Sequence, residues 1–343
     1  MVKDMDNHNK KVAVWKKVYK TLFIDHEISW AIKKCIFLAK IIIKKMIPKQ
    51  IYDRLYTRRF YLMFHRELSK KKYFVAASKY GLSNRLKAVI SAMRYADVYN
   101  GKAILYWPIN DECGCKFSDL FENKLDEIDD QEMHRITNDE EFYVVSPSVL
   151  ATLPKDKIPY KFGISCHLIF PFYNIDCEYN RIPLRARRNI LPYINSLMPK
   201  KFIIERVERF SDTFDSKVLG VSLRTWSDAI RYRYDRREHF FDFDKIYSII
   251  DKIKPEKIFV TSDSEEAFMK IYERYQDKIL YVPKRTFWGD RDSKEGIQDA
   301  FVDQLILSKC NMLIAGYLST YIELAWWFGD CKAKVFVLKK HAI

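Results

Sequence analysis

Four short segments in the second half of the chain place arginine, aspartate and hydroxyl residues beside apolar runs. They span residues 220–228, 259–263, 299–303 and 316–323. Such runs predict parallel strands, and open α/β sheets bind ligands outside the carboxyl ends of their strands. The planar guanidinium of Arg224 could hold a diphosphate through paired hydrogen bonds, and hydroxyl residues at a helix start favour the same anion. Together the segments predict a phosphate-binding edge.

Each of these segments also has an ordinary structural explanation. Arg224 could form a surface salt bridge, and Ser262 or Asp263 could cap a helix. Asp303 lies one position past Val302 on a predicted helix, which places it at the margin of the apolar face. For any single segment the structural explanation is at least as good as the functional one. The hypothesis of a phosphate-binding site therefore depends on the four segments occurring together.

The first half of the chain contains one comparable segment, at residues 74–97. An apolar run from Phe74 to Ala77 predicts a buried strand, and a turn containing Gly81 leads into a helix. The first N–H groups of that helix are unpaired, and the helix dipole favours negative charge there. Arg85 adds a fixed positive charge. The strand, turn and helix therefore predict a second anion-binding position.

Strands and helices alternate along most of the remaining chain. In the second half, the predicted strands are 217–223, 257–261, 278–282, 312–315 and 334–338. The predicted helices are 244–253, 264–276, 298–309 and 319–328. Apolar strands separated by helices predict parallel sheets covered on both faces. We therefore expect an α/β protein with two Rossmann-like domains, at 71–200 and 201–343, separated by a cleft and preceded by a basic helical extension at 1–70.

The positive charge of the chain is concentrated at its N-terminal end. Of the net charge of +15, residues 1–72 supply +13, from 19 Lys and Arg against 6 Asp and Glu. The nearly neutral remainder argues against nucleic-acid binding, which would need basic residues on the domain that contacts the bases. The seven cysteines have neither zinc nor redox spacing, which favours free thiols in a reducing cytoplasm.

Residues 29–48 predict a basic amphipathic helix. Lysines occupy most of one side, apolar residues occupy the other, and no apolar run is long enough to span a membrane. Such a helix could lie on an anionic membrane surface. It could equally pack its apolar face on the body of the protein and leave its lysines in water. Since the sequence shows no signal peptide, we expect a cytoplasmic protein, either free or peripheral at the inner face of a membrane.

The order and spacing of these motifs resemble those of a known superfamily, the α1,6-fucosyltransferases and protein O-fucosyltransferases with their bacterial relatives. The motifs are Gly-Leu-Ser-Asn-Arg at 81–85, Arg224 in a strand-end loop, Thr-Ser-Asp at 261–263, Asp303, and Gly-Tyr-Leu-Ser-Thr at 316–320. The resemblance covers most of the chain between residues 73 and 338. It implies the GT-B fold and transfer of fucose from GDP-fucose to a glycan or lipid-linked saccharide, with inversion and without a metal.

The resemblance also implies roles for individual residues. The donor-binding residues would be Gly81, Asn84, Arg85, Ser222, Arg224, Asp263, Asp303, Ser319 and Thr320. Arg224 would clamp the β-phosphate and act in catalysis, Asp303 would recognise guanine, and Asn84 with Arg85 would close on the donor. Our candidate for the catalytic base is Asp228, because inversion needs a carboxylate to take the proton of the acceptor hydroxyl. An aspartate simply exposed to solvent there is an equally good explanation.

Two alternatives from other classes stay open. The chain could bind a nucleotide without catalysis, docked on membrane or nucleic acid through its basic N-terminus. It could also use a different nucleotide sugar, since Ser222 stands where the superfamily usually has histidine. A metal-dependent enzyme would need an Asp-x-Asp motif at a strand edge. The three occurrences are Asp4-Met-Asp6, Asp242-Phe-Asp244 and Asp290-Arg-Asp292. They lie in the tail, at the start of a predicted helix and in a loop, so we expect no metal or other cofactor.

Overall fold

A computed structural model of the protein describes residues 65–145, 179, 182, 184–212, 214, 217–225, 242–316 and 319–338. The predicted basic helix at 29–48 and the candidate base Asp228 lie outside these residues. Phe60–Ile343 form one compact unit, which contains two β-sheets. No helix within the described ranges is both long and apolar enough to cross a membrane.

The first half of the chain builds a four-stranded sheet with helices beside it. In chain order the elements are β1 (Tyr73–Ala77), α1 (Leu82–Val98), β2 (Lys102–Tyr106), β3 (Asp126–Glu127), α2 (Asp130–Ile136), β4 (Phe142–Val145), α3 (Leu184–Asn195) and α4 (Lys201–Ser211). The strand order is β3-β2-β1-β4, and every neighbouring pair is parallel. Four consecutive residues of β1 are buried, as expected for a strand covered on both faces.

The second half builds a five-stranded sheet. Its elements are β5 (Val218–Leu223), α5 (Phe243–Ile253), β6 (Lys257–Ser262), α6 (Glu265–Tyr275), β7 (Ile279–Leu280), α7 (Lys294–Leu307), β8 (Met312–Gly316), α8 (Thr320–Phe328) and β9 (Lys334–Leu338). The order is β7-β6-β5-β8-β9, again parallel throughout. Two parallel sheets in one chain confirm the predicted α/β fold class, while the predicted domain boundaries stay a prediction.

The strand order of the second sheet reverses direction at its central strand, β5. From β5 the chain moves outward to β6 and β7, then returns to the other side of β5 for β8 and β9. At such a reversal the connections leave in opposite directions, and ligands bind outside the carboxyl ends of the central strands. The loops that follow β5, β6 and β8 are therefore the ones best placed to form a site.

The two halves share a continuous apolar core. Phe121 packs against Phe301 with ring centroids 5.0 Å apart, which joins the first half to α7. Lys87 of α1 and Glu323 of α8 form an ion pair of 2.8 Å, and both side chains are at most 1% exposed. Burial lowers the pKa of Lys87, and the Glu323 carboxylate opposes that shift. This ion pair fixes α1 against α8.

Some elements extend beyond their predicted bounds. The predicted helix at 298–309 begins earlier, at Lys294, because Ser293 caps it by accepting a hydrogen bond of 3.0 Å from the Gly296 N–H. The acidic residues 124–141 contain β3 and α2. The aromatic and arginine-rich region before residue 200 contributes the helix α3.

Candidate functional site

The loops after β5 and β6 meet at the edge of the second sheet. Leu223 and Ser262 are paired at the ends of these strands, so the next residues of each loop are neighbours. The N–H and the hydroxyl of Thr225 both donate to Oδ1 of Asp263, at 2.7 and 2.9 Å. Arg224 Nε lies 3.8 Å from Oδ2 of the same carboxylate. Asp263 therefore fixes the loop that carries Arg224.

This arrangement excludes one structural explanation for Asp263, the helix cap, and bears out the other, an ion pair with Arg224. The residue that caps α6 is Ser264, whose hydroxyl accepts from the N–H of Ala267, so Asp263 is not needed as a cap. The Arg224 side chain is 34% exposed and that of Asp263 is 19% exposed. A partly exposed guanidinium that is oriented by a carboxylate beneath it suits the binding of an anion.

Asp303 lies on α7 and is buried, with only 4% of its side chain exposed. The prediction that it sits at the margin of an apolar face is wrong, because α7 is covered by both α4 and α8. Lys284 Nζ donates to Oδ2 of Asp303, whereas Oδ1 is buried without a hydrogen-bond partner among the described residues. Burial raises the pKa of the Asp303 carboxyl, and Lys284 opposes that shift. A buried acceptor of this kind costs free energy unless a ligand satisfies it.

A second carboxylate on α7 holds the segment that carries Lys284. Asp299 accepts from Arg206 Nη1 at 2.8 Å and from Arg285 Nε at 2.7 Å, both at Oδ1. Its Oδ2 accepts from the backbone N–H of Arg285 at 2.8 Å. Although burial opposes ionisation, these hydrogen bonds lower the pKa of Asp299. The sequence carries no signal for this cluster, because Arg206 is 93 residues from Asp299.

The start of α8 lies against the same edge. Ser319 caps the helix by accepting from the Ile322 N–H at 3.4 Å. The hydroxyl of Tyr321 donates to the Ala300 carbonyl of α7 at 2.5 Å. The pKa of Tyr321 is raised by burial and by the negative charge of Asp303, and the positive charge of Arg224 opposes the rise. The start of α8 is therefore bonded to α7, the helix that carries Asp303.

The opening turn of the first half contacts this cluster directly. Gln304 Nε2 donates to the Ser83 hydroxyl at 2.9 Å and to the Tyr321 carbonyl at 2.8 Å. Ser83 and the half-buried Asn84 lie in the first turn of α1, after the N-cap residue Gly81. The structure thus brings the Gly-Leu-Ser-Asn turn beside α7 and α8. That the two halves form one site stays a prediction.

Arg85 occupies a different environment from the one its sequence position indicates. Its side chain is buried, and it donates from Nε to the Tyr80 carbonyl at 2.7 Å, from Nη1 to the Pro108 carbonyl at 2.5 Å and from Nη2 to Asn110 Oδ1 at 2.7 Å. Burial lowers the pKa of Arg85. Each guanidinium nitrogen is thus engaged within the first half. Its donor-binding role stays a prediction, whereas its loop-holding contacts are observed.

A loop of the first half also covers the segment before α7. Arg291 and Glu112 form an ion pair of 2.9 Å, and the Gly114 N–H donates to the Arg291 carbonyl at 2.7 Å. A Cβ at Gly114 would lie 1.9 Å from the Asp292 carbonyl oxygen, so only glycine fits this contact. The partners Glu112 and Arg291 are 179 residues apart, and no spacing rule could have paired them.

The remaining predicted residues fall into three groups. Ser222 is partly buried inside β5, two positions before Arg224. Thr320 is the first residue of α8, next to the capping Ser319. Asp228 lies outside the described residues, so its position relative to Arg224 stays a prediction.

The Asp-x-Asp motifs within the described residues have structural roles. Asp242 caps α5, as predicted, by accepting from the Lys245 N–H at 3.1 Å. Asp290 accepts from the N–H groups of Asp292 and Ser293 in the turn before α7. In the part of the chain that the structure describes, no three His, Cys, Asp or Glu side chains are grouped so as to hold a metal ion.

No protein-family model matches the chain, and no curated protein matches it. Several solved structures are similar. The crystal structure of fucosyltransferase NodZ from Bradyrhizobium has a TM-score of 0.50 at 15% sequence identity, covering 79% of this chain and 97% of that one. FUT1 from Arabidopsis thaliana in complex with GDP has a TM-score of 0.45 at 17% identity, covering 85% and 78%. POFUT1 in complex with GDP has a TM-score of 0.42 at 11% identity, covering 79% and 99%.

The likeness to NodZ extends over nearly the whole length of that protein. At this level of identity it establishes a common fold. The chain therefore has the GT-B-like fold of a fucosyltransferase structure, two parallel α/β sheets in one chain, and this confirms the fold that the motif resemblance implies.

Proposed function

We propose that this chain is an inverting, metal-independent glycosyltransferase that transfers fucose from GDP-fucose to a saccharide. The observations that carry the proposal are the partly exposed Arg224 guanidinium, 3.8 Å from the Asp263 carboxylate at the end of β5 and β6, and the buried Asp303 oxygen on α7. A guanidinium suits a diphosphate, and a buried carboxylate oxygen suits the N–H groups of a base. The fold shared with NodZ, a fucosyltransferase, supports this interpretation.

The chemistry requires a fixed positive charge at the leaving group. The acceptor hydroxyl attacks the anomeric carbon in line, and the GDP diphosphate leaves with the electrons of the C–O bond. Negative charge grows on the β-phosphate in the transition state, so a cation placed there accelerates the reaction beyond its effect on donor binding. Arg224 supplies that cation. The N–H groups at the start of α8, beside Ser319 and Thr320, add to the stabilisation of the anion.

Asp263 positions Arg224 rather than touching the donor. Its carboxylate accepts from Thr225 and lies 3.8 Å from Arg224 Nε, so it orients the guanidinium. A pre-oriented side chain loses less conformational entropy on binding an anion than a mobile one does. The loop after β5 is thus held ready for the diphosphate.

The first half of the chain supplies the opposite wall of the site. The three hydrogen bonds of Arg85 hold the loops around residues 80 and 110, and the contact between Ser83 and Gln304 fixes the start of α1 on α7. Gly81 and Asn84 belong to this helix start, where unpaired N–H groups favour an anion. We assign Arg85 the role of positioning this turn, and Asn84 the role of contacting the donor.

The acceptor hydroxyl needs a base, and Asp228 stays our candidate because it follows Arg224 in the same loop. The acceptor itself would be a glycan or a lipid-linked saccharide. Basic residues 29–48 would bring the enzyme to an anionic membrane that carries such an acceptor. Co-sedimentation of the full-length chain with anionic and neutral vesicles tests this idea. Equal binding to both, or no loss when the lysines of that segment become glutamine, would contradict it.

The proposed activity is tested by combining nucleotide binding with donor turnover. A thermal-shift panel of nucleotides and nucleotide sugars should show the largest stabilisation with GDP and GDP-fucose. Mass spectrometry should then detect slow release of fucose from GDP-fucose, or transfer of fucose to added saccharides. Stabilisation by GDP without any release or transfer would favour a non-catalytic nucleotide-binding protein. Preference for a uridine diphosphate sugar would mean that the proposed donor is wrong while the proposed reaction, glycosyl transfer, is kept.

Metal independence has its own test. We expect the same turnover rate in EDTA as in added Mg²⁺ or Mn²⁺, because the charge on the departing diphosphate is met by Arg224 and by helix N–H groups. Loss of activity in EDTA that is restored by a divalent cation would contradict this part of the proposal.

A further inference from the structure

Lys284 is a charged residue in this region to which the motif pattern gives no role. It lies in the loop that follows β7, and its ammonium donates to Oδ2 of Asp303. The Lys284 side chain is 17% exposed and that of Asp303 only 4%, so the pair lies just beneath the surface of the site. A lysine in direct contact with the proposed base-binding carboxylate must affect what that carboxylate can bind.

The position of Lys284 is fixed by its neighbour in the chain. Arg285 donates through its backbone N–H and through Nε to the two oxygens of the buried Asp299, at 2.8 and 2.7 Å. Arg285 Nη2 also donates to the carbonyl of Glu295, at 3.1 Å. This anchor holds the backbone of the loop on α7, one turn from Asp303. The ammonium is therefore held at a defined place and is not a freely moving surface charge.

The pair leaves a specific hydrogen-bonding capacity unused. Asp303 Oδ1 is buried and has no partner among the described residues. An ammonium has three N–H donors, of which Asp303 Oδ2 takes one. Side by side, the two groups present a donor and an acceptor. Buried groups arranged in this way strongly discriminate among ligands, because a ligand with the wrong pattern leaves them unpaired.

We propose that Lys284 and Asp303 form a guanine-recognition dyad, in which Lys284 donates to O6 of the base and Asp303 Oδ1 accepts from N1–H and the 2-amino group. The inference rests on the proposed function and adds a specificity residue to it. Guanine presents an acceptor next to two donors on this edge. Adenine presents the reverse, an amino donor next to an acceptor, so it would face Lys284 donor to donor and Asp303 acceptor to acceptor.

A competing interpretation is that Lys284 blocks the site and must leave before a base binds. The two interpretations predict opposite changes in GDP affinity when Lys284 is removed. If Lys284 recognises the base, its removal weakens GDP binding. If it only occupies the place of the base, its removal strengthens GDP binding.

The first experiment uses the full-length wild-type chain and isothermal titration with GDP, 6-thio-GDP, IDP and ADP. Sulfur at position 6 is a poor acceptor, whereas the N1–H and 2-amino donors remain. We expect 6-thio-GDP to bind about tenfold or more weakly than GDP, the loss typical of a hydrogen bond to a charged group. IDP lacks only the 2-amino group, so it reports the Asp303 contact separately. ADP should bind most weakly.

The second experiment repeats the titrations with Lys284→Met and Lys284→Arg. In Lys284→Met, GDP and IDP should weaken by the same factor, and GDP should lose its advantage over 6-thio-GDP. Lys284→Arg keeps a cationic donor and should restore much of that advantage. Lys201→Met is the matched control, since Lys201 is 89% exposed on α4 and should leave every affinity unchanged.

The outcomes distinguish failure of the guanine-recognition dyad from failure of the proposed function. Equal binding of GDP and 6-thio-GDP by the wild type would overturn the dyad while leaving the proposed function intact. Tighter GDP binding by Lys284→Met would overturn it in favour of a blocking lysine. Binding of no nucleoside diphosphate by the wild type would overturn the proposed function and the dyad with it. Should Lys284→Met fail to fold, the wild-type comparison still gives the answer.

Discussion

Two arginines at comparable places in the two halves of the molecule have opposite surroundings. Arg85 and Arg224 each follow a strand of a parallel sheet, and sequence position alone predicts phosphate binding for both. Arg85 is 1% exposed and donates from all three of its nitrogens to acceptors of its own half. Arg224 has a side chain 34% exposed above a carboxylate 3.8 Å away. The arginine of the first half is therefore part of the scaffold, whereas the arginine of the second half is exposed enough to contact a ligand, as we propose.

The strongest test of this contrast is Arg224→Ala. Removing the charge that stabilises the departing diphosphate should lower kcat by about 10²–10³-fold, the loss seen when one transition-state donor is removed. The melting temperature should stay unchanged because the side chain is partly exposed and supports no core. Initial rates with GDP-fucose and a thermal melt measure the two effects. Arg135→Ala, at a side chain 74% exposed on α2, is the control. Retained activity in Arg224→Ala would refute the phosphate clamp.

Arg85→Ala should show the reverse behaviour. It leaves the carbonyls of Tyr80 and Pro108 and the amide of Asn110 without their donor, at a cost of about 2–4 kcal/mol in the free energy of unfolding. Urea denaturation measures that loss. The stability of Arg85→Lys should lie between those of the wild type and Arg85→Ala, because an ammonium cannot reach three acceptors in the geometry of a guanidinium. An unchanged unfolding midpoint with lost GDP affinity would mean that Arg85 binds the donor after all.

Gly114→Ala tests whether the scaffold half supports the site half through the contact with Asp292. The added Cβ would lie 1.9 Å from the Asp292 carbonyl oxygen, so the two loops must move apart. We expect a loss of about 1–3 kcal/mol in stability, as for other overpacked positions. Gly81→Ala is the matched control, because a Cβ there meets nothing closer than 3.6 Å. Equal melting temperatures for the two variants would show that the contact is dispensable.

The smallest expected effect is a pH dependence of donor binding through Asp303. Only the ionised carboxylate accepts the base donors, and burial raises the pKa of this group, so protonation begins at a higher pH than for an exposed aspartate. GDP affinity should therefore be full above that pKa and should fall as pH drops through it, by up to about tenfold per pH unit. Titrations across that range measure the change. Asp303→Asn should bind GDP weakly at every pH, with no dependence of the affinity on pH. If the pH dependence persists in this variant, it arises from another group.

The fold could be predicted from the sequence because the strands of a doubly covered parallel sheet are short apolar runs. The strand at 334–338 was predicted with its observed bounds, and that at 217–223 to within one residue. Both follow from local composition, since buried strands leave little place for polar residues. The helix α7 was harder, since its first turn carries charged residues and is defined by the Ser293 cap.

The site could be predicted only where its residues belong to local motifs. The motif pattern predicted Arg224, Asp263 and Asp303, and the structure places the first two in neighbouring loops after β5 and β6 and the third on α7. It could not identify Lys284 or Arg206, because their roles depend on partners far away in the chain. It could not predict the three acceptors that surround Arg85, since strand position says nothing about which groups meet a side chain in the folded protein.

The most direct test of the account is a crystal structure of the full-length protein with GDP. We expect the diphosphate within hydrogen-bonding distance of the Arg224 guanidinium and the guanine against Asp303, at the carboxyl edge of β5 and β8. GDP bound elsewhere, or at this edge with its phosphates on Arg85 and not on Arg224, would contradict the account.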